Sequence, residues 1–89
     1  MVTCEIHEGL ASVRMDDGKA NAFNTTTLGQ LMAALEEARS AQAVVISGRS
    51  GFFSGGLDLK TLPNLPAAEF KATVDLFEQM IRTVLEFPV

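Results

Sequence analysis

The residues best suited to chemistry form one stretch, Gly48-Arg49-Ser50-Gly51-Phe52-Phe53-Ser54-Gly55-Gly56-Leu57-Asp58-Leu59. It leaves the continuous apolar run Ala43-Val44-Val45-Ile46-Ser47, and ligands of α/β proteins bind at such strand ends. Gly51 and Gly56 have the G-x-x-x-x-G spacing of a phosphate-binding loop. That loop next needs Lys and Ser/Thr to reach phosphates and hold Mg²⁺. Leu57-Asp58 place an apolar side chain and a negative charge there instead, so the nucleotide reading fails on chemistry. The G-x-G-x-x-G dinucleotide fingerprint is absent too. The other reading is an oxyanion loop: glycines let the backbone approach a ligand and aim N–H groups at it. An acyl thioester that loses an α-proton, or gains a nucleophile at its β-carbon, develops enolate charge on its carbonyl oxygen. One backbone donor aimed there is worth about 10²–10³ in rate. A glycine pair after a strand also reads as an ordinary tight turn, and the loop by itself leaves both readings open.

Other polar residues read more plainly. Asp58 is a helix cap or loop brace before it is a proton carrier, and Lys60 is a solvated cation before it is a phosphate ligand. His7 sits on a hairpin without a partner in view. Glu69, Glu78 and Glu86 fall on a solvated helix face.

The elements that position the loop follow from periodicity. Val2, Cys4 and Ile6 alternate with Thr3, Glu5 and His7. After Glu8-Gly9, Ala11, Val13 and Met15 alternate with Leu10, Ser12 and Arg14. This predicts a β-hairpin, ended by Asp16-Asp17-Gly18. The segment from Lys19 to Asn24 is small, polar and irregular. Asn24 or Thr25 caps a helix with the stripe Leu28, Leu31, Met32, Leu35 and Ala38, running to about Ser40. Ala43 to Gly48 predicts a strand covered on both faces in a parallel sheet. A turn-like segment, Leu57 to Leu62, follows the loop. Pro66 suits the first position of a second helix, whose predicted buried face is Phe70, Val74, Phe77, Ile81 and Val84/Leu85 and which stops before Pro88.

The chain has 89 residues, 47% of them apolar and 20% charged, which allows one modest folded unit. Seven Lys+Arg stand against eleven Asp+Glu, a net charge of −4. The cations are scattered, so no nucleic-acid footprint is expected. Cys4 is the only cysteine; it reads as core packing in a reducing compartment. No signal peptide or membrane-length apolar run is visible, so the expected location is the cytoplasm.

Phe53-Ser54-Gly55-Gly56-Leu57-Asp58-Leu59-Lys60, after the apolar strand, resembles the F-S-[AG]-G-x-D-[LI]-K signature of the enoyl-CoA hydratase/isomerase (crotonase) superfamily. Lys19-Ala20-Asn21-Ala22-Phe23 resembles the same family's K-x-N-A-[LF] stretch before the first helix. The likeness spans the chain in order. It implies an α/β fold, a crotonase-like ββα spiral of which residues 1–89 are an incomplete N-terminal part, in a homotrimer or hexamer. It implies an enoyl-CoA or acyl-CoA thioester as substrate, coenzyme A being part of that substrate, with no separate cofactor and no metal. The Gly55 N–H is implied as one of two oxyanion donors. Ser54, Gly56, Leu57 and Asp58 shape the acyl entrance; Lys19, Ala20 and Ala22 line the coenzyme A groove. The family's second donor, on the strand and helix expected from Pro88-Val89 onward, and its acid/base carboxylates have no counterpart here. Two readings result: an enoyl-CoA hydratase-type enzyme whose first 89 residues are inactive alone, or a non-catalytic truncated or proteolysed piece that associates with the remainder.

Overall fold

The computed structural model describes residues 1–88. Strands β1 (Val2–His7) and β2 (Leu10–Met15) form the predicted antiparallel hairpin, in the register Val2↔Met15 to His7↔Leu10. The two-residue turn takes positive φ at both positions, 51° at Glu8 and 82° at Gly9, the twist that suits a tight hairpin. Helix α1 (Thr25–Glu37) then crosses to β3 (Ala43–Ser47), which pairs parallel with β2, so the sheet order is β1-β2-β3. A short 3₁₀ turn, Ala38–Ser40, extends α1 to the predicted end. The long helix α2 (Ala67–Leu85) closes the described chain.

Period-two alternation in β2 sends Ala11, Val13 and Met15 into the core and Leu10, Ser12 and Arg14 outward. On β1, Val2 and Cys4 are half-buried. Ile6, at the turn end, is exposed. Leu28, Leu31 and Leu35 bring the apolar stripe of α1 onto the sheet and are essentially fully buried, with Ala34 and Ala38 beside them. Each such leucine contributes about 1.5–3 kcal/mol of transfer free energy, so this face fixes the helix on the hairpin.

Two expectations fail, for one reason. Strand β3 is not covered on both faces. Val44 and Ile46, on the face shared with Ala11 and Val13, are half-buried, whereas Val45 is 50% exposed. β3 has a single sheet neighbour, and no described element lies over its second face. The predicted stripe of α2 is likewise misplaced. Phe70, Ile81, Val84 and Leu85 are exposed, Leu85 by 80%, and the residues in the core are Thr73 and Met80, with Val74, Leu76 and Phe77 half-buried. α2 lies against α1, where Phe77 meets Phe23 with ring centroids 5.7 Å apart. Thr73 tolerates burial because its hydroxyl donates to the Glu69 carbonyl at 2.9 Å and lies 2.9 Å from the Thr25 hydroxyl. Both apolar runs are longer than the surface available to cover them. Pro66 stands one residue ahead of its predicted place, at the N-cap, with extended ψ of 150°.

Candidate active site

The site is built by two irregular segments that zip together, residues 16–24 and 48–58. The first is shaped by side chains acting on their own backbone. Asp16 and Asp17 accept the N–H groups of Gly18 and Lys19 at 2.9 and 2.7 Å, and Gly18 takes φ of 76°. Asn24 ends the segment as the N-cap of α1. Its side chain accepts the Thr27 N–H at 3.0 Å while its own N–H donates to the Thr27 hydroxyl at 2.9 Å, a reciprocal capping box. Thr27 also donates to the Ala22 carbonyl at 3.2 Å.

The second segment leaves β3 at Gly48, where the chain folds back on itself. A Cβ there would stand 2.6 Å from the Phe53 Cα, so the return requires glycine. The Arg49 guanidinium lies over the Phe52 ring at 5.0 Å, donates to the Lys19 carbonyl at 2.6 Å and approaches Asp16 at 3.7 Å. Gly56, at φ of 81°, makes the second turn that only glycine adopts freely.

A short ladder joins them. Gly55 N–H donates to the Ala20 carbonyl at 2.7 Å, Phe23 N–H to the Gly56 carbonyl at 2.7 Å, and Asp58 N–H to the Phe23 carbonyl at 2.9 Å. The Ser54 hydroxyl donates to the Asn21 carbonyl at 2.8 Å and receives the Gly56 N–H at 3.0 Å. This settles which donors the loop has to spare. The Gly55 N–H, implied as the oxyanion donor, is committed to Ala20. Gly56 and Asp58 are committed as well. Among the described residues only the Leu57 N–H of this quartet has no partner. The parallel bridge Phe23↔Leu57 explains it: Phe23 takes its two bonds from the residues flanking Leu57, so the amide of Leu57 faces away from the ladder.

The remaining predicted residues divide. Asp58 is a brace: its carboxylate accepts the N–H groups of Lys60 at 3.1 Å and Thr61 at 3.4 Å and steadies the turn into Leu62–Asn64. Ser54 is a structural relay, half-buried. Lys19, Ala20 and Ala22 line one edge of the ladder as grouped, with Lys19 and Ala20 exposed and Ala22 half-buried. Their carbonyls already accept from Arg49, Gly55 and Thr27 respectively, which leaves each a second lone pair for a ligand donor. Glu69, Glu78 and Glu86 are exposed on or beside α2, Glu78 pairing with Arg82 at 3.3 Å. His7 is exposed and 3.9 Å from Glu8. Cys4 is half-buried; burial pushes its thiol pKa up, and the Glu37 charge adds to the shift. The strand expected from Pro88 runs onto Val89, outside the described residues.

Sequence reasoning missed Asn21. Its side chain is 4% exposed and its φ is 53°. It lies inside the Lys19–Phe23 motif, and the signal available is its type: Asn is the side chain that tolerates left-handed backbone while bonding locally. Among the described residues no group of three His, Cys, Asp or Glu is placed to hold a metal ion. Among the described residues no helix is long and apolar enough to cross a membrane.

The family model described as enoyl-CoA hydratase/isomerase matches residues 5–89. A search of curated proteins gives no significant match. Among solved structures, an enoyl-CoA hydratase/isomerase family protein from Pseudomonas syringae superposes with a TM-score of 0.88 at 30% identity, over 98% of this chain and 38% of that one. An enoyl-CoA hydratase from Mycobacterium ulcerans gives 0.79 at 34% identity, over 84% and 34%. One from Mycobacterium marinum gives 0.65 at 40% identity, over 68% and 28%. The chain thus spans about a third of the length of the solved structures it matches. Its mixed α/β architecture, a three-stranded sheet with two helices, corresponds to the first turns of the crotonase fold. On the strength of a family match over nearly its whole length, the chain belongs to the enoyl-CoA hydratase/isomerase family.

Proposed function

We propose that these residues supply the first half of the active site of an enoyl-CoA hydratase-type enzyme, a lyase of acyl-CoA metabolism that adds water across the α,β double bond of an enoyl thioester. The observation that carries this is the unpartnered Leu57 N–H, set among the satisfied amides of Gly55, Gly56 and Asp58. Leu57 takes the donor role first given to Gly55. In the reaction a water oxygen bonds to the β-carbon as that water gives up one proton to a base, and the α,β π-electrons move onto the thioester carbonyl as an enolate. The enolate then takes a proton at the α-carbon as the carbonyl reforms, so that H and OH of one water are added overall. The Leu57 amide stabilises the enolate oxygen. Lys19, Ala20 and Ala22 line the groove for the coenzyme A portion, which arrives with the substrate, and Ser54, Gly56 and Asp58 shape the acyl entrance. The chain spans about a third of the length of the solved structures it matches, and on this reading residues 1–89 bind the thioester without turning it over, as part of a larger crotonase-like domain. A homotrimeric or hexameric assembly and a cytoplasmic location complete the reading.

The test is vibrational. Crotonyl-CoA labelled at the thioester carbonyl is added to the purified chain. The carbonyl stretch moves to lower frequency on binding, Leu57→Pro removes that shift, and no hydration product forms. Absence of binding, an unchanged carbonyl frequency, or turnover by the 89-residue chain overturns the reading.

The second reading, a non-catalytic piece that associates with the remainder of its protein, is favoured by the uncovered apolar surface of β3 and α2. Sedimentation of the chain alone and with the rest of a crotonase-like domain separates the two. Complex formation without thioester binding supports the second.

A further inference from the structure

Every polar atom of Asn21 is committed. Its N–H donates to the Asp17 carboxylate at 3.1 Å, and its carbonyl accepts the Ser54 hydroxyl at 2.8 Å. Its side-chain oxygen accepts the Asp17 N–H at 3.0 Å. Its side-chain nitrogen donates to the Met15 carbonyl at 3.0 Å and the Phe53 carbonyl at 3.0 Å, with the Phe52 carbonyl at 3.4 Å. One 4% exposed side chain therefore ties the end of β2, the Asp16–Gly18 turn and the glycine loop together.

Few residues can do this. The backbone at φ of 53° favours Asn or Gly. An aspartate has the shape but would aim a carboxylate at three carbonyl oxygens. A glycine adopts the backbone and makes none of the side-chain bonds. Asn alone meets both demands, and its bonds set the register in which Gly55, Gly56 and Asp58 find partners and Leu57 does not.

We propose that Asn21 is the positioning residue of the site: it holds the glycine loop against residues 20–24 in the one register that leaves the Leu57 N–H free and aimed outward. It acts through Leu57 and touches no substrate, and the proposal rests on the reading of Leu57 as oxyanion donor.

The experiment compares the 89-residue chain with Asn21→Gly, which keeps the backbone conformation, and with Ser54→Ala, which cuts a single link of the same clasp. Amide hydrogen exchange and the carbonyl frequency of bound crotonyl-CoA are read on all three. In Asn21→Gly the amides of Phe23, Gly55 and Asp58 lose about tenfold or more in protection relative to those of α1, the scale of an abandoned buried hydrogen-bond set. The carbonyl shift disappears while crotonyl-CoA still binds. Ser54→Ala changes both in the same direction by less. A uniform loss of protection along the chain with the carbonyl shift intact overturns the proposal and leaves the function reading standing. If the unaltered chain shows no carbonyl shift, the function reading falls and the proposal with it. Should Asn21→Gly fail to fold, Ser54→Ala decides: unchanged exchange at Gly55 and Asp58 together with an unchanged shift overturns it.

Discussion

The amide of Gly55 donates to the carbonyl oxygen of Ala20 at 2.7 Å, thirty-five positions earlier in the chain. That bond removes from service the donor that motif comparison singles out. The amide left free is that of Leu57, because the Gly56 carbonyl and the Asp58 N–H on either side of it are the groups that bond Phe23.

Three glycines of the loop, Gly48, Gly55 and Gly56, should respond differently to alanine. Gly48→Ala forces a Cβ to 2.6 Å from the Phe53 Cα and should cost about 1–3 kcal/mol or more. Gly56→Ala must hold φ of 81° and should cost about 1–2 kcal/mol. At Gly55 the new methyl would meet Ala20 at 3.5 and 3.6 Å, ordinary contact, so Gly55→Ala should stay within about 0.5 kcal/mol of the parent. Urea unfolding of the three variants measures the ranking; equal costs at Gly48 and Gly55 would contradict it.

The capping box sets where α1 begins and hence where residues 20–24 lie. Asn24→Ala should lower stability by about 1 kcal/mol, and Thr27→Ala by at least as much, since its buried hydroxyl also holds the Ala22 carbonyl. Denaturation midpoints at constant slope check both.

Asp17 carries a pH dependence. The N–H of Lys19, first, and then those of Asn21 and Asp17 itself hold its carboxyl below the ordinary value near 3.8. A group whose folded pKa is depressed contributes stability above its unfolded pKa and loses it as pH falls through the folded one. The 16–21 turn should therefore be intact at neutral pH and loosen only in acid below about pH 4. Side-chain carboxyl shifts followed by NMR give the midpoint. Asp17→Asn should flatten this part of the stability profile.

The exposed apolar stripe of α2 should drive self-association. Ile81 and Leu85 are 42% and 80% exposed and fall on one helix face, four residues apart. Ile81→Lys with Leu85→Lys should reduce oligomers seen by sedimentation while changing unfolding free energy by no more than about 0.5 kcal/mol per site. A large loss of stability would mean that this face is packed in the isolated chain.

Much of the local structure could be read directly. The alternation of Ala11, Val13 and Met15 placed β2 and its inward face. Asn24 and the spacing of Leu28, Leu31 and Leu35 placed α1, because capping and a 3.6-residue stripe are local properties. The glycine loop and its partner segment were visible as motifs. The buried face of α2 was not. Its apolar residues outnumber the positions that α1 can cover, so periodicity alone could not say that Thr73 and Met80 would be inside and Ile81 outside. The cover of β3 failed likewise, since an apolar run reports what a strand can bury and not what lies next to it.

The amino-acid sequence by itself therefore determined the elements, the family-type motifs and the absence of a phosphate-loop lysine at Leu57-Asp58. Tertiary structure alone decided which backbone amide is free and which residue holds it so. The physical reason is that hydrogen-bond partners between residues 20–24 and 54–58 are set by the approach of two segments far apart in the chain. Asn21, buried in the first segment, commits its side-chain nitrogen to the Met15 and Phe53 carbonyls and its own carbonyl to the Ser54 hydroxyl.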